Sequence, residues 1–353
     1  MRTLKNVDWL ILVCTFFILL FGAITISMVP NNLLFRHIIS IVIGVFVLVL
    51  FASSDYRMWD RGALFFYILT ILLLLFVFFF GQQLFGARRW IDLSFFQIQP
   101  SELAKLAFVF ILSKFFIDNN QQRDSFKYVF TSLLIIALPL VLIILQPDLG
   151  TAITLLFIWF MLFLATLKKG RYLVFILTLF IIFAPIMFHY GLADYQKKRL
   201  TSFINPAVDP FGSGYNVVQA KIAVGSGSIF GQGLYSFDFL PSTLTDFIFA
   251  VFAHRFGFVG SIIFISLYAV LLLRIIVFAF KTYDSFAKLL LIGIFSMLFI
   301  QFFVNVGMNL GIMPITGIPL PFFSFGGTSM VVSFMAIGIV VSISKRQRHD
   351  VYR

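Results

Sequence analysis

Apolar residues along this chain come in long, nearly unbroken runs separated by polar connections. Neither the alternation of a half-buried strand nor the one-sided stripe of a surface helix prevails. A helix that crosses a bilayer core needs about 20 residues, and ten runs approach that length. They cover residues 9–29, 34–53, 63–80, 101–117 and 128–145 in the first half, then 151–167, 172–190, 247–280, 287–310 and 328–344. The connections are short except for 191–245, which is polar and rich in Gly, Pro, Asp and Lys, and 311–327, which is dense in Pro and Gly. No internal repeat is evident. The pattern predicts an all-α polytopic membrane protein of about ten transmembrane helices, forming a single transmembrane domain over residues 1–353. The run 247–280 is too long for one crossing, about 50 Å at 1.5 Å per residue. Either it tilts and protrudes, or Gly257 and Gly260 break it and leave 246–256 as an outer segment.

Composition supports this reading. With 61% hydrophobic and 11% charged residues and a mean hydropathy of +1.05, the chain has too little polar surface for a soluble domain. Cys14 is the single cysteine, which excludes an intrachain disulfide and a thiolate metal site. The first run follows Arg2 and Lys5 like a signal peptide, but it lacks a small-residue cleavage site and reads as a retained span. The net charge of +12 lies in short loops with no aromatic-interleaved basic patch, so it reflects topology and not nucleic acid. If both termini are cytoplasmic, seventeen of the 26 Lys and Arg fall inside and seven outside, with Lys105 and Arg255 within spans. This predicts N-in/C-in, with the long loop between helices 7 and 8 extracytoplasmic.

The unusual polar residues gather on that outer side. GARRWI (86–91) sets Arg88 and Arg89 beside Trp90. Adjacent guanidiniums suit phosphate oxygens, headgroup contact is equally open, and Trp90 fits an interfacial belt. QPSELAK opens a helix with Glu102 in its first turn and Lys105 three residues on, close enough to pair. QPDLGT places Asp148 as a helix cap. Lys221 precedes a glycine-rich stretch, 225–233, whose amides could form an anion nest, although it is not a Walker A loop. The segment 311–329, with Ser324 in its FFSFGG run, reads as a re-entrant wall of a cavity, since irregular backbone at membrane depth must be buried or line one. Thr245 and Asp246 stand at the doorstep of the apolar run FIFAVFAHRF. Asp246 could cap that helix, as Thr245 could. It could also serve as a general base if burial lifts its pKa against the pull of the helix N-terminus. The residues alone leave both open.

Together GARRWI, QPSE with its nearby Lys, QPDLGT, KIAVGSG with FGQG, FLP with TDFIFAV, and PITGIPLPFFSFGGTS resemble the SEDS family (shape, elongation, division and sporulation) over nearly the whole chain. The GIPLP wording and short tails look more like its RodA-like elongation branch. The resemblance implies ten transmembrane helices in the bacterial cytoplasmic (inner) membrane and a peptidoglycan glycosyltransferase that polymerises lipid II with release of undecaprenyl pyrophosphate. It assigns Asp246 as the catalytic carboxylate. Candidate substrate contacts are Arg88, Arg89, Lys105, Lys221, Glu102, Thr245 and Ser324. It also implies undecaprenyl-linked glycan, a class B penicillin-binding protein and membrane lipids as partners. No cofactor is evident and no metal motif is present, while a divalent cation bridging the pyrophosphate is compatible with the chemistry. The alternatives from other classes are a flippase for a polyprenol-linked precursor and a non-catalytic scaffold that activates the transpeptidase. Three departures stand out: Ser242 where the family commonly has Glu, His254–Arg255 in place of an acidic pair, and a shorter stretch between Gly233 and Phe239.

Overall fold

The computed structural model describes residues 7–28, 33–84, 87–92, 97–123, 125–209, 212–233 and 245–350. All ten expected runs are helical: α1 (Trp9–Ser27), α2 (Leu33–Ser53), α3 (Arg57–Phe80), α4 (Pro100–Asp118), α5 (Phe126–Leu145), α6 (Leu149–Thr166), α7 (Gly170–Ile186), α10 (Ile248–Lys281), α11 (Ser285–Leu310) and α12 (Gly327–Asp350). Among the described residues nine are long and apolar enough to cross a membrane by length and composition. The tenth, α4, matches them in length but carries Glu102, Lys105 and Lys114.

Two additions were not legible as runs. The long polar loop folds into α8 (Asp194–Ile204) and α9 (Ser213–Ser226), and a small antiparallel sheet, β1 (Gln82–Leu84), β2 (Ala87–Asp92) and β3 (Gln97–Ile98), joins α3 to α4. A sheet this small cannot show a sequence period. Helix starts follow local chemistry. Asp148 caps α6 by accepting from Thr151 N at 3.1 Å, Asp284 caps α11 by accepting from Phe286 N at 2.8 Å, and Pro100 opens α4; each meets or removes an amide that has no intrahelical partner.

The core centres on α11 and α12, which are mostly buried, while α2, α3 and α7 turn most of their surface outward. One end of the bundle carries ion pairs between Arg274 and Asp8 (2.6 Å), Lys114 and Asp60 (3.1 Å) and Arg346 and Asp55 (3.5 Å). The sheet, α8, α9 and the 311–326 segment cover the opposite end.

The long run breaks at Gly257, whose φ of 67° and ψ of −163° lie in a region that side-chain-bearing residues avoid. A broken helix orphans backbone groups that must be met inside the protein. Here the glycine-rich stretch after α9 meets them. Ser228 O accepts from Phe258 N (2.9 Å), Ile229 O accepts from Val259 N (3.1 Å), and Gln232 N donates to His254 O (2.9 Å). The stretch is therefore a clasp on α10, bonded to it through main-chain groups of Ser228, Ile229 and Gln232. Its glycines permit the close approach, because a Cβ at Gly231 would fall 2.0 Å from Arg255 O. His254 bonds Ser226 Oγ through Nδ1 at 2.8 Å, and Arg255 donates to Met28 O at 3.0 Å, so both residues of that departure stitch α10 to its neighbours. The first part of α10, Ile248 to Arg255, is buried on all sides. Gly257→Ala is expected to cost about 1–3 kcal/mol in backbone strain, with more from collision against Gly231 N; a lowered Tm in detergent checks this.

Candidate active site

Asp246 lies just before α10, and its role turns on what holds its main chain. The N-cap of α10 is Phe247, with no side-chain cap, so Asp246 does not cap the helix. A side chain from α11 does that work: Asn309 Oδ1 accepts from Ala250 N at 3.1 Å. Asn309 Nδ2 also donates to Asp246 O at 3.0 Å, and Asn305 Nδ2 donates to the same oxygen at 3.2 Å and to Ile318 O at 2.8 Å. Ser324 Oγ donates to Thr245 O at 2.8 Å and accepts from Leu320 N at 2.8 Å. The Thr245–Asp246 main chain is thus hung from three side chains, and the carboxylate is left to face a cavity.

That cavity measures about 270 Å³. Its charged lining pairs three carboxylates, Glu102, Asp148 and Asp246, with three cations, Arg89, Lys105 and Arg199. Thr245, Trp90, Thr316–Pro319 and the start of α12 complete the wall. The 311–326 segment thus lines the cavity, through Thr316–Pro319, Phe325 and Gly326. Gly317, at φ 76°, leaves room where a Cβ would stand 3.6 Å from Asp246 Oδ2 and 3.9 Å from Arg199 Nη1. Burial raises the Asp246 pKa above the ordinary carboxylate range, and Arg199, Thr245 and Arg89 oppose that rise.

Glu102 and Lys105 form a buried ion pair at 2.7 Å. With its amide oriented to satisfy both ends, Gln301 accepts from Lys105 Nζ at 2.7 Å. Asp148 does more than cap: its Oδ2 accepts from Gln99 Nε2 (3.0 Å), Ser101 Oγ (3.1 Å) and Thr151 Oγ1 (2.9 Å), and its Oδ1 stands 3.6 Å from Arg89 Nη1.

Three expected contacts lie elsewhere. Arg88 and Arg89 share a strand, and successive strand residues point to opposite faces; Arg89 enters the cavity while Arg88 is exposed and does not line it. Lys221 is exposed on α9, packed over Gly311 at the C-terminal end of α11, where a cation is favourable. Ser324 positions Thr245 without lining the cavity. Trp90 lines the cavity. The segment 239–244, including Ser242, lies outside the described residues. Sequence reasoning missed Arg199, Asn305, Asn309 and Gln301 as site residues. Arg199 was one cation in a basic loop, and the other three sit in an apolar helix where their polarity was the only signal.

Asn309→Leu is expected to remove one of two hydrogen bonds from each of Ala250 N and Asp246 O, which keep Phe247 O and Asn305 Nδ2 as partners, at about 0.5–1.5 kcal/mol each, and to lower activity more than the milder Asn309→Ser. Thermal melts run beside the activity assay check both.

A helical bundle with a cavity at one end, a suspended Asp and a buried Lys–Glu pair defines a class of polytopic membrane protein. Its particular kind follows from comparison: the profile of the FtsW/RodA/SpoVE family, described as cell cycle protein, matches residues 3–349, and the chain belongs to that family. It is 36% identical over 319 residues to the peptidoglycan glycosyltransferase MrdB of Escherichia coli K12, covering 89% of this chain and 86% of that one. It is 34% identical to stage V sporulation protein E of Bacillus subtilis, covering 89% and 87%. A solved structure concerned with polymerization and crosslinking by a peptidoglycan synthase complex superposes with a TM-score of 0.84 at 29% identity, over 97% of this chain and 98% of that one. The rod shape determining protein RodA of Thermus thermophilus gives 0.73 at 27%, over 97% of both chains.

Proposed function

We propose that this chain is a peptidoglycan glycosyltransferase of the bacterial cytoplasmic membrane, that it polymerises lipid II, and that its N- and C-termini are cytoplasmic with the cavity outside. The observation that carries the reading is a carboxylate released from capping and suspended in a cavity with cations, in a chain related along nearly its whole length to MrdB. In the reaction, the 4-hydroxyl oxygen of the acceptor GlcNAc bonds to the anomeric carbon of the donor MurNAc. The bond from that carbon to the pyrophosphate oxygen breaks, and undecaprenyl pyrophosphate leaves with the electron pair. Asp246 Oδ accepts the hydroxyl proton, a task for which a raised pKa is apt. Nearby cations offset charge gathering on the leaving group.

Among the described residues no three His, Cys, Asp or Glu side chains group as metal ligands; a divalent cation joining this site would draw oxygen ligands from the pyrophosphate itself. The crosslinking partner we infer is a class B penicillin-binding protein. The test is glycan polymerisation from purified lipid II by this protein with its cognate transpeptidase, the latter blocked with penicillin. Polymer supports the reading; a folded, partner-bound protein that makes none overturns it.

A further inference from the structure

The cations at the end of the bundle away from the cavity sort into two kinds. Several are matched to carboxylates: Arg274 to Asp8, Lys114 to Asp60 and Asp118, Arg57 to Asp284, and Arg346 to Asp55. The connections into α5 and α7 are different. Residues 123–127 and 168–171 hold five Lys and Arg and one acid, Asp124. Among the described residues Arg123, Lys127 and Lys168 have no ion pair, and the buried Arg123 Nε has no hydrogen-bond partner. Lys127, Lys168, Lys169 and Arg171 are exposed. Packing brings the two connections together. The Phe126 ring lies 5.9 Å from that of Tyr172 and 4.9 Å from that of Phe175, centroid to centroid, so the first turns of α5 and α7 meet. Arg171 is fixed over the Tyr172 ring at 4.8 Å and donates to its hydroxyl at 2.8 Å. Each first turn carries a cation, Lys127 or Arg171, and no acid, the reverse of what the helix dipole favours. An anion between them would offset both the dipoles and the side chains. Next to the cations the surface turns apolar: Phe126, Phe130 and Leu134, spaced four apart along α5, are exposed, as is Val174 on α7.

We propose that the paired starts of α5 and α7 bind the headgroup of an anionic phospholipid, with an acyl chain along the Phe126–Phe130–Leu134 face. A topological bias of Lys and Arg accounts for an excess of cations at one end of a bundle. It does not account for their gathering at one pair of helices while cations elsewhere at that end are matched to acids. Basic residues clustered at the edge of a span attract anionic headgroups, and guanidinium and ammonium groups bond phosphate oxygens strongly. The apolar face that continues from them favours a lipid over a soluble acidic segment, because a lipid joins its anion to hydrocarbon. The site needs neither the Asp246 carboxylate nor lipid II, so it goes beyond the glycosyltransferase reading and stands apart from it. The proposed cytoplasmic placement of the termini puts it in the inner leaflet.

The test is native mass spectrometry of the purified full-length protein in detergent, titrated with dioleoylphosphatidylglycerol or dioleoylphosphatidylcholine, with thermal melts in each lipid. The first phosphatidylglycerol is expected to bind about tenfold or more tightly than phosphatidylcholine and to raise the Tm further. Lys127→Gln/Lys168→Gln should weaken phosphatidylglycerol by about fivefold for each cation removed. It should bind phosphatidylcholine, and melt in it, as wild type does. Lys127→Arg/Lys168→Arg keeps the charge and should retain the preference. Lys288→Gln removes a cation at the same end, one that lies over the Phe280 ring, and should bind both lipids as wild type does. Equal binding of the two lipids, or a loss in Lys288→Gln as large as that of a Lys127 or Lys168 variant, overturns the site. Glycerol 3-phosphate, an anion without tails, should bind far more weakly than the lipid; equal binding overturns the lipid assignment. A hexaglutamate peptide that binds more tightly than phosphatidylglycerol gives the surface to an acidic protein segment and overturns it as well.

Discussion

Asp246→Asn is expected to lower lipid II polymerisation by about 10²–10⁴-fold, the usual contribution of a positioned proton acceptor, without lowering the melting temperature. The two halves have one cause. Burial raises the folded-state pKa of Asp246, and a carboxyl group with a raised value contributes stability at low pH that is lost as pH rises through that value. At neutral pH the ionised side chain therefore weighs against the fold, and the isosteric amide relieves it. Activity has the opposite sign, because the base works only when ionised; the acid limb of the rate profile should lie above the range of an ordinary carboxylate, with activity lost as pH falls through it. Arg199 opposes the rise, so Arg199→Gln should move that limb to still higher pH. Rate profiles and melts of the three proteins check this. An Asp246→Asn variant that polymerises normally would remove the carboxylate from the mechanism.

The second large effect concerns Glu102 and Lys105. Their 2.7 Å ion pair has side chains only 3% and 1% exposed, so truncating one member leaves the other charged and buried. Glu102→Gln or Lys105→Met alone is expected to cost about 3–5 kcal/mol, whereas replacing both with apolar residues of similar volume should recover most of that loss. Thermal or urea melts of the two single variants and of Glu102→Leu/Lys105→Met test the coupling. Activity of the double variant then separates two roles. Recovery of polymerisation along with stability means that the pair shapes the cavity wall; recovered stability without activity means that one of the charges meets substrate.

The bundle was legible because a bilayer imposes a coarse rule, length and apolarity, that nine of the ten runs satisfy among the described residues, with α4 matching in length alone. The break at Gly257 was one of two alternatives in the sequence, and the choice between them depended on a partner segment, the stretch after α9, that only the fold supplies. The site was partly legible. Asp246, Thr245, Glu102, Lys105 and Arg89 do converge, and the Pro/Gly segment does line their cavity. What sequence could not sort was direction. Arg88 and Arg89 are identical neighbours until a strand turns them apart. Lys221 looks like a ligand until the end of α11 is seen beneath it. The capping question was settled by Asn309, 63 residues away, through a contact that no local pattern announces.

The division of α10 at Gly257 also bears on how the enzyme meets membranes of different thickness. Residues after the break present Phe258, Ile262 and Ile263 to lipid, so any mismatch between helix and bilayer acts on that half. Asp246 belongs to the other half, hung from α11 and the 311–326 segment and clasped by the stretch after α9. Tilt adopted by the lipid-facing portion to suit a thinner or thicker bilayer is thereby kept from being transmitted along a continuous rod to the carboxylate. The depth of the Asp246 carboxylate is thus referenced to the protein's interior and not to the lipid.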